Sequence, residues 1–182
     1  WRKGGAPAGG STMFAILNSK VSVDDLLKGA IIQSGNDSCI ALAEGMAGNE
    51  RIFAADFMTK RARELGLTKS TFGNSNGLPD PANRMTVREL GKLARHLILT
   101  YPDMYKLFGE KEFTWNKIRQ PNRNGLLARD PSVDGVKTGH TETAGYCLVT
   151  SAKRQNTRLI SVVLGTASDN ARAQESLKLL NH

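Results

Sequence analysis

Apolar side chains in the first hundred residues recur at three- and four-residue spacing, whereas later ones alternate or run together, so the chain reads as helices, then strands, then a closing helix. Ser22 suits an N-cap. Asp24 and Asp25 then fall in a first helical turn, and Leu26, Leu27, Ala30 and Ile31 form its apolar face. After Ser34-Gly35-Asn36 a second helical pattern carries Ile40, Leu42, Ala43 and Met46; Asn49 precedes a third, from Ile52 to Leu65, which Gly66 can stop. Residues 70–83 are dense in Gly, Asn, Ser and Pro and read as a long ordered loop. Thr86-Val87-Arg88-Glu89 is a capping box for a helix reaching about Thr100, before Pro102. From Glu112 to Ile118 the pattern alternates through Phe113 and Trp115, as a strand or hairpin arm would. Tyr146–Ala152 and Arg158–Gly165 are β-rich runs joined by a polar turn at Lys153–Thr157, which predicts an antiparallel pair. Asn170–Leu180 returns to helical spacing through Ala173, Leu177 and Leu180. The opening stretch, with Gly4, Gly5, Gly9 and Gly10 around Pro7, reads as a loop or a severed connection.

This order predicts an α+β layout, an antiparallel sheet backed by helices beside a helical subdomain. The 182 residues contain no internal repeat and no clean boundary. They suffice for one domain with a sizeable core, or for most of a larger one. Hydrophobic residues at 40% and charged residues at 23% are ordinary for a globular chain, and no apolar run approaches 18 residues. No signal peptide is visible; because the chain starts at Trp1, a processed or truncated piece of a longer product is expected.

A net charge of +8 could attract nucleic acid or an anionic polymer, but Arg51, Lys60, Arg61, Arg63, Arg88, Lys92 and Arg95 are spread along helical patterns as solvated faces. With no zinc-ligand spacing and no aromatic-basic stacking pattern, nucleic-acid binding is not expected. Cys39 and Cys147 each sit in an apolar run and read as buried free thiols rather than a disulfide.

Two short elements carry chemistry. Lys137-Thr138-Gly139 lies directly before a β-rich run. There a lysine and a hydroxyl on a strand edge can bind a carboxylate, while a glycine admits a ligand backbone. Ser34-Gly35-Asn36, at a helix junction, places a hydroxyl and an amide where both could face a cleft; it also reads as a plain N-cap motif. His96 reads as an ordinary packed or surface histidine on a helix, and His182 is terminal.

In their contexts, IIQSGNDSCIALAE, EKEFTWNKIRQPNRNGLL and VDGVKTGHTETAGYCLVTSA, these elements closely resemble the low-molecular-mass D-alanyl-D-alanine carboxypeptidases, serine peptidases of the β-lactamase and penicillin-binding superfamily, from roughly Gly10 to Leu180. The resemblance implies the fold of that superfamily, with residues 1–182 a partial catalytic domain and no separate C-terminal β domain. It implies that an activated serine is acylated by the penultimate D-alanine of a peptidoglycan stem peptide, that the terminal D-alanine leaves, and that water frees the shortened peptide. The resemblance also implies that β-lactam antibiotics acylate the same serine. Carried onto this sequence, the resemblance makes Ser34 a proton-relay partner near the leaving amine. Asn36 becomes a hydrogen-bond partner of the substrate amide, and Lys137 a source of positive charge in the proton network. Thr138 and Arg123 would hold the terminal carboxylate, for which a forked guanidinium is suited. The His140 backbone N–H would supply half of an oxyanion hole, and Gly139 and Thr141 complete the substrate-binding strand. The His140 side chain reads as a polar strand-edge group, not as the general base.

The family's nucleophile sits in a Ser-x-x-Lys element on a central helix, and no serine within residues 1–182 is followed by lysine three positions on. The resemblance therefore implies a chain inactive alone, completed by an N-terminal fragment or covered by a second copy, because a missing buried helix would leave apolar faces and a sheet edge open. A non-catalytic peptidoglycan- or partner-binding module of the same fold is the alternative. A β-lactamase relative fits less well with NRNGLL and KTGHT, and no deacylating glutamate stands out. The resemblance implies a bacterial periplasmic or cell-envelope location and no metal or organic cofactor.

Overall fold

Ser22 starts the first helix as its short oxygen-bearing side chain predicts. In the computed structural model, which describes residues 10–182, its Oγ accepts the Asp25 amide at 3.0 Å ahead of α1 (Val23–Lys28). The glycine-rich opening lies outside the described residues. Where the spacing predicts regular helix through Ile31, the chain widens into a π-helical turn, Gly29–Gln33. The Gly29 carbonyl there receives the amides of both Ser34 and Gly35. α2 (Asn36–Ala47) follows, closed by Gly48.

The expected helix from Ile52 to Leu65 is instead three pieces: α3 (Glu50–Ile52), a π-helical turn (Phe53–Met58) and α4 (Thr59–Glu64). Its interruption has a local cause. The Thr59 hydroxyl donates to the Ala54 carbonyl five residues back, at 3.1 Å, and accepts the Phe72 amide, so side-chain bonding competes with the helical ladder. The following loop is ordered by its own asparagines. Asn83 Nδ2 donates to Asn74 Oδ1 and the Leu78 carbonyl, Glu50 accepts the Ser75 amide and hydroxyl, and a Thr71–Arg84 bridge closes the ring.

These helices form a compact unit, Trp1–Arg84, with the hairpin at Glu112–Asn122. β1 (Glu112–Trp115) and β2 (Ile118–Pro121) pair antiparallel around Asn116 and Lys117, both with positive φ, 48° and 64°. A single arm through Ile118 is therefore corrected to a hairpin with a two-residue turn, hidden in the sequence because neither turn residue is glycine. Phe113 packs with Met13, Leu26, Ile32 and Ala41, and Trp115 lies against them.

Met85–Lys111 with Arg123–His182 make the second unit. The chain changes unit three times, so no single linker marks a boundary. The Thr86 hydroxyl accepts the Glu89 amide and caps α5 (Val87–Thr100); α6 (Pro102–Tyr105) and a 3₁₀ turn (Lys106–Gly109) continue it. After α7 (Leu126–Arg129), β3 (Val133–Thr141), β4 (Gly145–Arg154) and β5 (Thr157–Thr166) form an antiparallel sheet in the order β3-β4-β5. α8 (Asp169–Leu180), capped by Ser168, ends the unit. One sheet core joins Leu148, Ala152 and Leu159 to Ala173, Leu177 and Leu180 of α8. A second joins Val149, Ile160 and Val162 to Leu90, Ala94 and Ile98 of α5. β4 is thus buried from Leu148 to Ala152, which explains why its sequence runs apolar rather than alternating.

Asp130 ties this unit to its C-terminus. It accepts the Ser132 amide and hydroxyl at 2.9 and 2.6 Å and pairs with Arg154, which donates to the Leu180 carbonyl at 2.7 Å. The Ser132 hydrogen bonds, then Arg154, hold the Asp130 carboxyl below its ordinary 3.8. A carboxyl depressed by folding stabilises above its unfolded value, and that contribution is lost as pH falls through the folded one. Asp130→Asn is expected to lower stability at pH 7 but to flatten the acid limb below about pH 4. Urea unfolding across that range checks it; an unchanged acid limb contradicts it.

Candidate functional site: a strained turn and a strand edge

In the first unit the Ser34-Gly35-Asn36 turn is built around a buried carboxylate. Ser34 has left-handed backbone angles, φ 62° and ψ 37°, unusual for serine and characteristic of residues whose surroundings hold them under strain. Gly35 has ordinary angles, but a Cβ there would stand 2.9 Å from both Asp37 Oδ1 and Ser38 Oγ, so only glycine fits. Gly35 is the N-cap of α2 and has no side-chain bond to offer. The N-cap reading of the motif is corrected accordingly: no side chain of the motif caps α2, and Asp37 within its first turn accepts one helix amide, that of Ser38, together with groups of the preceding strap. Only 1% exposed, its carboxylate accepts the Thr12 hydroxyl at 2.6 Å and the amides of Met13, Ala15 and Ser38, each at 3.0 Å. The helix N-terminus favours that charge as well.

Asn36 is anchored by the same strap. Its backbone amide and its Nδ2 both donate to the Ser11 carbonyl, at 2.9 and 3.0 Å. The side-chain amide therefore turns its carbonyl oxygen away from Ser11, leaving it able to accept an N–H. Residues 11–15 thus grip both sides of the turn. The sequence pattern gave no sign of this, since the partners lie 22–25 residues apart.

In the second unit Lys137, Thr138, Gly139, His140 and Thr141 lie within β3, not ahead of a strand as the β-rich pattern suggested. β3 is an edge strand among the described residues. Lys137 is half-buried, with Nζ 3.1 Å from the Thr138 carbonyl; Gly139 and His140 are exposed. His140 stands opposite Tyr146 with ring centroids 4.0 Å apart, and Arg172 of α8 lies 5.4 Å from the Tyr146 ring. Arg172, only 7% exposed, donates to the Gly139 carbonyl at 3.0 Å and the Cys147 carbonyl at 3.2 Å while pairing with Asp169. It pins the glycine of the strand motif, a role invisible in sequence because it reaches back 33 residues. Arg123 is exposed, and its neighbour Asn124 is buried, donating to the Gly135 carbonyl at 3.2 Å. Cys39 and Cys147 are free thiols, but half-buried rather than buried.

Each unit thus presents a rigid polar element: Ser34 and Asn36 on a clamped turn, and Lys137 through Thr141 on a pinned edge. A family model described as D-alanyl-D-alanine carboxypeptidase, peptidase family S11, matches residues 1–168. The chain belongs to that family. It is 51% identical over 179 residues to the D-alanyl-D-alanine carboxypeptidase DacC of Escherichia coli, covering 97% of this chain and 44% of that protein. Against DacA of Haemophilus influenzae the identity is 47% over 172 residues, again with 44% of the relative covered. The chain therefore spans somewhat less than half the length of these relatives. Among solved structures, penicillin binding protein 5 from Haemophilus influenzae superposes with a TM-score of 0.91 at 47% identity, covering 95% of this chain and 51% of that one. Penicillin-Binding Protein D2 from Listeria monocytogenes in its cefotaxime-bound form gives 0.85 at 29% identity. The fold of this family member is accordingly the α+β fold of the DD-peptidases. No described helix is long and apolar enough to cross a membrane.

Proposed function

We propose that residues 1–182 are the substrate-holding and proton-relay portion of a serine-type D-Ala-D-Ala carboxypeptidase of peptidoglycan metabolism, in the bacterial periplasm or cell envelope. They form a partial catalytic domain, and the nucleophile comes from a Ser-x-x-Lys segment outside them. The observation that carries this reading is the clamped Ser34-Gly35-Asn36 turn, held by a buried Asp37, in the same chain as the Lys137-Thr138-Gly139 edge.

In this reading the stem peptide lies antiparallel to the β3 edge. Arg123 and Thr138 hold the terminal carboxylate, and the His140 amide donates to the developing oxyanion. Gly139 and Thr141 leave room for the peptide backbone and complete its binding strand. The Asn36 carbonyl oxygen accepts a substrate N–H, which its anchoring by Ser11 supports. Ser34 relays a proton toward the departing amine, and Lys137 supplies positive charge that offsets the negative charge that forms. β-Lactams, which present a carboxylate beside a reactive amide, enter the same site. An N-terminal fragment or a second copy of the chain covers what the missing segment leaves open.

Release of D-alanine tests this directly. The full-length protein, meaning this chain with the Ser-x-x-Lys segment that completes it, should free D-alanine from a stem peptide ending in D-Ala-D-Ala. Reversible peptide binding without release would favour the non-catalytic binding module instead.

A further inference from the structure

β3 carries an irregularity that bears on the strand motif. Val133 stands opposite Ala152 and Gly135 opposite Ser151, so Asp134 is an extra residue with no partner in β4. The bulge sets the phase of everything after it. With it, Lys137 stands opposite Val149; without it, Lys137 would stand opposite Leu148 and its side chain would leave the other face.

The extra residue is held by two side chains from other elements. Arg158 of β5 grips the Asp134 carboxylate with both terminal nitrogens, Nη1 on Oδ1 and Nη2 on Oδ2, at 2.8 Å each. The same guanidinium donates to Ser151 Oγ of β4 at 2.7 Å, so one side chain stitches all three strands at the level of the bulge. Tyr105 of α6 donates its hydroxyl to Asp134 at 3.0 Å and lies under the Arg158 guanidinium. Burial pushes the Tyr105 phenol well above its usual range, so it stays a donor. A Cβ on Gly135 would stand 2.4 Å from that hydroxyl, so only glycine can follow Asp134. Finally, the Gly135 carbonyl receives Asn124 Nδ2, and Asn124 adjoins Arg123. The bulge is thus the point where the Arg123 segment and the Lys137 strand are fastened together.

We infer that Asp134, through Arg158 and Tyr105, is a positioning residue that sets the phase of β3 and with it the joint placement of Arg123 and Thr138 for a substrate carboxylate. This rests on the carboxypeptidase reading above. The relevant readout is a preference rather than an activity: kcat/KM for a peptide ending in D-Ala-D-Ala with a free carboxylate, divided by that for the same peptide as its C-terminal amide. A loss of folded protein lowers both values equally and leaves the ratio alone, whereas a shifted strand lowers the ratio.

In the full-length protein, Asp134→Asn is expected to lower this ratio about tenfold, since it weakens charge-assisted bonds that hold the geometry to within a fraction of an ångström. Tyr105→Phe, which removes one hydroxyl and keeps the packing, should lower it severalfold and serves if Asp134→Asn does not fold. A ratio unchanged in the folded variants, whatever their total activity, overturns the inference and leaves the function standing. A wild-type protein that releases no D-alanine overturns the function itself, and the inference with it.

Discussion

Replacing Asp37 with alanine is expected to cost the first unit about 4 kcal/mol, near the top of what single substitutions do. The carboxylate is 1% exposed and satisfies four donors, the Thr12 hydroxyl and the amides of Met13, Ala15 and Ser38. Each hydrogen bond to a charged acceptor contributes about 1.5–3 kcal/mol, and a buried donor left without a partner carries its own penalty, so the sum is large even when discounted for non-additivity. Alanine fills none of the space. Once the strap through residues 11–15 is released, Asn36 loses its anchor at Ser11, and the loss extends to the turn that holds Ser34. Urea unfolding followed by the fluorescence of Trp115, which packs in the core of this unit, measures the effect. Asp37→Asn, which keeps one acceptor oxygen, should fall between alanine and wild type. A cost below about 1 kcal/mol would mean that the carboxylate is not what holds the turn.

The second large effect concerns chemistry. In the full-length protein Lys137→Ala is expected to slow acylation by a stem peptide or a β-lactam by about a hundredfold to a thousandfold, the range seen when a proton-transfer or charge-stabilising group is removed. Lys137 is half-buried in a strand pinned by Arg172, so its stem is held and truncation has little room to be compensated. Lys137→Arg should restore little, because a planar guanidinium does not replace a compact ammonium that can give up its proton. Thermal unfolding of both variants should remain near wild type, since Lys137 belongs to neither hydrophobic core of the second unit. An Lys137→Ala protein acylated at the wild-type rate would remove this residue from the mechanism.

What the sequence made legible is what depends on neighbours. Ser22 and Thr86 announced their helices because a cap acts within three residues. The antiparallel pair β4–β5 was legible because its strands are long and joined by a short polar turn. The elements that escaped are those whose cause lies elsewhere in the chain. β3 begins at Val133, but its bulge breaks the alternation that would have marked it. The helix expected at Ile52–Leu65 is broken by one hydroxyl reaching back to Ala54. The candidate site follows the same division. Ser34, Asn36, Arg123 and Lys137 are legible from motif contexts, whereas Asp37, Asp134 and Arg172 are not, because the partners that tie them into the site are more than twenty residues distant and leave no periodic trace.

The central claim is that residues 1–182 hold substrate but carry no nucleophile. Incubation of the purified chain with a fluorescent penicillin, followed by denaturing electrophoresis, tests it most directly. The account predicts no covalent label on the chain alone, and label on the Ser-x-x-Lys segment when that segment is supplied. Stoichiometric label on residues 1–182 by themselves would contradict it.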